Sequence, residues 1–174
     1  MNKCSIDRHC RGFTLVEAAI TMAVTATLAA TAVPHFKASL DRQHLTQAIN
    51  ELQLSIELGR SEAMARGQRV VLAPQQAGNW GSGWHLYRDD NNNGERDDAE
   101  PLLQVFAGPD AHVAVHAWGA PANAVLSFNE DGFIRRAGSN GLAMGGISLN
   151  VDGQVRTLCF SATRTRTTTA DHCN

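Results

Sequence analysis

The sequence predicts an α+β fold in which one long N-terminal helix packs on antiparallel β-sheets. Three features carry this expectation. An apolar stretch from Phe13 to Val33 runs on into a helical stripe that ends at Arg66-Gly67. Eight short β-like runs then follow between residues 69 and 160 with no helical pattern among them. Turn dipeptides, Asp131-Gly132 and Asp152-Gly153, punctuate those runs in the way two-residue hairpins favour. Strands without intervening helices pair antiparallel, and a single helix is then left to cover them. The 174 residues suffice for one domain with a short extension. Fifteen Lys+Arg against seventeen Asp+Glu exclude a uniformly basic nucleic-acid binder and an acidic disordered tail. With 43% hydrophobic and 18% charged residues, a packed core is affordable.

The first element is a leader, residues 1–12, in which Lys3, Arg8 and Arg11 face one acid, Asp7. The next 21 residues, Phe13 to Val33, carry one charge, Glu17. A helix of that length spans about 30 Å, the thickness of a bilayer's hydrocarbon core. The basic leader is expected to stay cytoplasmic and the chain beyond Pro34 to be exported. No small-residue cleavage site follows Val33, so the apolar segment is expected to be retained. A carboxylate within it costs at least about 2.5–3.5 kcal/mol unless partnered. Two compatible partners offer themselves. Thr14-Leu-Val-Glu17 fits a helix capping box, and cleavage before Phe13 would create an α-amino group for Glu17 to neutralise.

The helix is expected to continue past Pro34. Leu45, Ala48, Ile49, Leu52, Ile56 and Met64 recur at three- and four-residue steps, with Arg42, Gln47, Glu51 and Arg60 mostly off that stripe. Gly59 reads as a weak point, and Arg66-Gly67 supplies a basic last turn and a glycine stop. The expected strands are 69–73, 83–88, 102–107, 112–118, 124–128, 132–136, 147–151 and 154–160.

Arg11-Gly12-Phe13-Thr14-Leu15-Val16-Glu17 resembles the class III signal of type IV pilins and pseudopilins. The resemblance implies that a prepilin peptidase cuts between Gly12 and Phe13 and methylates the new Phe13 amine. It implies that Glu17 neutralises that amine in a neighbouring subunit during assembly, and that Pro34 lies where such helices often kink. Further on, Arg60-Ser-Glu-Ala-Met-Ala-Arg66, Trp80-Gly-Ser-Gly-Trp84, the Asp89 to Leu102 loop and the Phe128 to Gly132 element are similar to the FimT/GspH family of minor pilins and pseudopilins. A type IV pilin-like fold is implied, with residues 1–12 as leader, 13–34 as transmembrane and assembly half of the helix, 35–67 as its periplasmic half and 68–174 as a β-rich globular domain. The implied partners are other pilins, met through the helix. The implied location is the inner membrane, single-pass with a periplasmic C-terminal domain, and then the pilus fibre at the cell surface. The family serves both pili and type II secretion.

Removal of the leader would leave twelve basic and sixteen acidic residues and take away Cys4 and Cys10. Cys159 and Cys173, with 13 residues between them and facing an oxidising compartment, then suit a single disulfide. Closing that loop is worth about 3 kcal/mol in the chain-entropy model.

Site chemistry is sparse. Asp89, Asn91, Asn93, Gly94 and Glu100 satisfy the D-x-[DN]-x-[DN]-G-x5-E calcium pattern. Strand-like flanks and Arg96 favour the plainer reading of a solvated hairpin tip, so no cofactor is expected apart from that candidate calcium. His112 and His116 would share a strand face without a third ligand. No G-x-S-x-G, HExxH or CxxC motif occurs, so no enzymatic activity is expected.

Arg156, Arg164 and Arg166 meet only Asp171 across residues 154–174. A polar loop tethered by Cys159 and Cys173 would offer Arg164 and Arg166 to phosphates. The pilus-associated FimT branch resembles this, with a C-terminal G-R-x-R motif implicated in DNA binding during natural transformation (competence). Here Thr163 replaces its glycine. Arg135 and Arg136 extend the patch if the sheet brings them near. Phe160 is the one aromatic residue beside these arginines in the chain, so base stacking has little support and double-stranded DNA is the expected partner. The alternatives are a solvated basic loop and a structural, GspH-like pseudopilin of a type II secretion pseudopilus that binds no DNA.

Overall fold

The computed structural model describes residues 13–120, 125–139 and 141–173. The leader, with Gly12, Cys4 and Cys10, lies outside the described residues. The chain divides into two units at Ser39 and Leu40.

Helix α1, Leu15–Arg66, has 52 residues. Thr14 caps it: its Oγ1 accepts the Glu17 N–H at 3.2 Å, and its carbonyl accepts the Ala18 N–H at 3.1 Å. In the first unit Leu15, Val16, Ile20, Met22, Val24 and Leu28 are exposed. Thr21, Thr25, Thr27 and Thr31 turn their hydroxyls back onto carbonyls three or four residues earlier. That satisfies the polar atoms internally and leaves an outer surface compatible with hydrocarbon. Among the described residues this is the one helix long and apolar enough to cross a membrane.

In the second unit α1 buries Leu45, Ala48, Ile49, Leu52, Ile56 and Ala63. The expected stripe included Met64, which is 51% exposed. Seven residues beyond Ile56 the helix returns to the same face, and one residue later it has turned away by about 80°. Ala63 therefore takes the buried place. Gly59 also lies on this face, and a Cβ there would stand 2.6 Å from the Phe128 ring.

The strands are β1 (Val70–Gln76), β2 (Asn79–Arg88), β3 (Leu102–Phe106), β4 (Ala114–Gly119), β5 (Leu126–Phe128), β6 (Ile134–Arg135), β7 (Gly145–Val151), β8 (Gln154–Phe160) and β9 (Thr165–Thr168). They form a five-stranded sheet ordered β3-β2-β1-β5-β6 and a four-stranded sheet ordered β4-β7-β8-β9. Every pairing is antiparallel. Trp80, Trp84, Leu86, Phe128 and Ile134 join Ile147, Leu149 and Leu158 and the helix in one core. Every buried residue among those described lies at Leu45 or beyond, so residues 40–174 contain the whole core.

Three turns show where local signals sufficed and where they did not. Val151 pairs with Gln154 around Asp152-Gly153, whose φ angles of 47° and 81° are those of a two-residue hairpin. Asp131-Gly132 does not form one: Phe128 pairs with Ile134, leaving a five-residue loop. There the Asn129 side chain captures the Phe133 N–H at 2.8 Å, and the Asn129 carbonyl accepts the Gly132 N–H. The third hairpin, at Ala77-Gly78, joins β1 and β2, both longer than expected.

The largest departure is β9. Residues expected to form a disulfide-closed loop instead make a ladder with β8, from Thr157↔Thr168 to Phe160↔Thr165. Thr165-Arg-Thr-Thr168 has no apolar alternation to announce a strand, but its β-branched residues suit one once β8 offers an edge.

Candidate nucleic-acid interface at the C-terminal strand

The β8–β9 turn comprises Ser161 to Arg164, closed by the Ser161 N–H to the Arg164 carbonyl at 2.9 Å. Two further elements hold it. The Ile134 N–H reaches the Ala162 carbonyl at 2.9 Å, and Arg60 Nη1 donates to the Thr163 carbonyl at 3.2 Å. Among the described non-glycine residues, only Asn92 and Asp152 have positive φ. Thr163 therefore needs no glycine-like backbone, and its replacement of the motif's glycine leaves the turn unstrained.

Register decides which side chains meet. Cys159 pairs with Arg166, Gly146 with Cys159, and Trp118 with Gly146. These four form one row across the sheet, on the face opposite Ile147 and Leu158, which enter the core. The Cys159–Cys173 disulfide stands on this outer face, with Cα atoms 5.7 Å apart. Gly146 makes room for it: a Cβ there would lie 2.9 Å from Cys173 Sγ and 2.8 Å from Cη2 of Trp118. His116 stacks beside Trp118 at 6.3 Å, and His172 meets it edge-on at 6.3 Å. His112 does not join them, because it lies in the turn before β4 with its Nδ1 2.6 Å from Asp110 Oδ1.

Arg164 and Arg166 line one hollow together with Trp118, Met144 and Phe160. Both arginines are exposed, and neither guanidinium has an ion-pair partner among the described residues. Arg156 lies elsewhere. It pairs with Leu149, on the helix side of the sheet, and lines a hollow with Thr46, Asn50 and Gln53 of α1. Arg135 sits over the Phe133 ring at 5.5 Å and shares a polar hollow with Arg69, Glu130 and Asp131. Arg136 is exposed in the following turn, its N–H bonded to the Gly141 carbonyl. The five arginines are thus spread over four places, and only Arg164 and Arg166 line a hollow together.

The expectation that Phe160 alone supplies an aromatic ring near these arginines does not hold. Trp118 lies 41 residues before Cys159 in the chain and reaches the site through β7. No local pattern could have signalled it.

The Asp89 loop is closed by its own side chains. Asp89 accepts the Asn93 and Gly94 N–H groups at 3.2 and 3.1 Å. Asn91 Oδ1 takes the Asn93 N–H and Asn93 Oδ1 that of Glu95, while Glu100 accepts the Asp90 and Asp97 N–H groups at 2.9 and 3.1 Å. Among the described residues no three His, Cys, Asp or Glu side chains are grouped to hold a metal. Tyr87 donates to the Gly94 carbonyl at 2.8 Å, and burial pushes its phenol well up. Burial also raises the Asp89 carboxyl, against the opposing pull of the Gly94 hydrogen bond. Replacing Asp89 by Ala leaves buried N–H groups unmet, and a loss of about 2 kcal/mol is expected in urea denaturation of residues 40–174. With these carboxylates already engaged, added calcium is expected to leave the melting temperature unchanged.

At the other end of the chain, Phe13 and Glu17 are both exposed. The family model for the prokaryotic N-terminal methylation motif matches residues 7–33, and that for type II transport protein GspH matches residues 48–167. No curated protein matches the chain. Two solved structures of the type IV minor pilin FimU from Pseudomonas aeruginosa, strain PAO1, in space groups P21 and P65, share its fold. The first is 19% identical, with a TM-score of 0.56 over 76% of this chain and 97% of that one. The second is also 19% identical, with a TM-score of 0.53 over 75% and 100%.

Proposed function

The chain belongs to the GspH family and carries its N-terminal methylation motif, and from that premise we propose that this pilin-like subunit binds DNA through Arg164 and Arg166 as a minor component of a type IV pilus active in DNA uptake. Processing between Gly12 and Phe13 releases the apolar helix from its basic leader. Glu17 then neutralises the Phe13 amine of a neighbouring subunit as the helix moves from the inner membrane into a fibre. The globular domain is carried on the periplasmic side and afterwards on the fibre.

One observation carries the DNA reading: two exposed guanidinium groups, without an ion-pair partner among the described residues, line one hollow of a molecule with a net charge of −2. Guanidinium forks match phosphate oxygens and read no sequence, so duplex DNA is held by its backbone. Two such contacts predict a weak complex that loses roughly tenfold in affinity between 50 and 200 mM salt. Arg156 and Arg135, on other faces, are expected to add little.

The full chain in nonionic detergent, oxidised, is titrated into labelled duplex DNA and followed by fluorescence anisotropy. Salt-sensitive binding that disappears in Arg164→Gln/Arg166→Gln supports the reading. No binding at low salt by the folded protein overturns it. A second reading then stands, a structural subunit of a type II secretion pseudopilus. Its support is the position of β9 at a sheet edge, where arginines blunt strand-to-strand association.

A further inference from the structure

Three tryptophans occur in the chain, and two of them, Trp80 and Trp84, are 2% exposed in the core. Trp118 is different. It lies on the outer face of the four-stranded sheet, half-buried, in register with Gly146, Cys159 and Arg166. A large indole outside the core adds nothing to the packing between sheet and helix. Here it lines the wall of a hollow of about 580 Å³ whose other side carries Arg164 and Arg166. That volume is within the range of small-ligand sites, about 300–1,000 Å³.

We propose that this hollow holds a nucleotide of single-stranded DNA, its base stacked on Trp118 and its phosphates on Arg164 and Arg166. The inference rests on the DNA-binding reading above and deepens it. The geometry is that of the cross-strand row. From β4 to β9 is three strand spacings, about 14 Å, which long arginine side chains narrow to the span between a base and its flanking phosphates. Met144 and the Cys159–Cys173 disulfide give the hollow an apolar lining, suited to a base and wasted on a phosphate, while the Phe160 ring turns into the core. In a duplex the base faces are covered by their neighbours, so Trp118 can engage only bases that are unstacked. Arginines alone would hold duplex and single strand alike; arginines facing an indole favour the single strand.

Trp118 is its own probe. The full chain in nonionic detergent is titrated with oligothymidylate and, separately, with duplex of equal length, following intrinsic fluorescence and anisotropy. The expected result is quenching by the single strand, with the single strand bound more tightly than the duplex. Trp118→Ala is expected to weaken single-strand binding at least about fivefold and duplex binding by clearly less. Trp118→Phe keeps a ring above Gly146 and is expected to restore much of the loss, and the fluorescence of buried Trp80 and Trp84 reports whether each variant is folded. Equal affinity for both forms, unchanged in a folded Trp118→Ala, overturns the stacking proposal. In that case loss of both in Arg164→Gln/Arg166→Gln still upholds phosphate binding. Absence of binding to either form overturns both readings together.

Discussion

Replacing Cys159 and Cys173 together by serine is expected to lower the stability of residues 40–174 by about 3 kcal/mol. The bridge closes a loop of 13 intervening residues that includes all of β9. Little else secures that strand. It has four residues, none apolar, at the edge of its sheet. Its other ties among the described residues include the ladder to β8, a 3.2 Å hydrogen bond from Thr165 to Glu57 and one from the Ala170 N–H to the Thr168 hydroxyl. Urea denaturation of oxidised wild type against the double variant measures the loss. Hydrogen exchange locates it, with the amides of Arg166 and Thr168, the β9 residues in hydrogen-bonded pairs with β8, expected to lose protection before those of β1 or β2. On the proposed DNA-binding reading, affinity for DNA should fall as well, because Arg166 is placed by that ladder.

Truncating Phe128 to alanine is expected to cost about 3–5 kcal/mol, the usual range for a fully buried phenyl ring. Phe128 is fully buried and pairs through its backbone with Val70 and Ile134. Its ring lies directly on the helix backbone at Gly59, where a Cβ would stand 2.6 and 2.9 Å from ring carbons and 3.0 Å from a Leu86 methyl. Gly59→Ala sets two effects against each other. Alanine gains up to about 1 kcal/mol of helix propensity, while overpacking costs about 1–3 kcal/mol. The clash is with an aromatic ring clamped between helix and sheet, so the second effect wins and the variant is destabilised. Gly59→Ala combined with Phe128→Leu should be less destabilised than the sum of the single changes, since the smaller side chain frees the space that the new methyl needs. A double-mutant cycle in urea tests this, and strict additivity would show that ring and glycine are not in contact.

Features set within a few residues were legible from the chain. The long helix and its stop at Arg66, the Asp152-Gly153 hairpin and most strand centres follow from periodicity and turn chemistry. The disulfide followed from the number and position of the cysteines. What escaped depends on register between distant segments. β9 is a strand because β8 presents an edge to it, and Thr165 to Thr168 carry no periodic signal of that. Arg156 and Arg166 read as one patch in the chain, yet their parity on paired strands puts them on opposite faces. Trp118 enters the site through two intervening strands. Gly59 looked like a weakness because helix propensity is local, whereas its reason for being glycine is a ring 69 residues away.

The turn from Ser161 to Arg164 is held almost wholly through main-chain oxygens: that of Ala162 by the Ile134 N–H, that of Thr163 by Arg60 and that of Arg164 by the Ser161 N–H. Any residue but proline can occupy these positions and still present the same carbonyl. The length of the turn is therefore constrained while its side chains are not. Substitutions at residues 163 and 164 are expected to change the side chains presented by the turn that borders the Trp118 hollow while leaving the fold intact. The scaffold thus separates shape, held by the main chain, from the chemistry its side chains present.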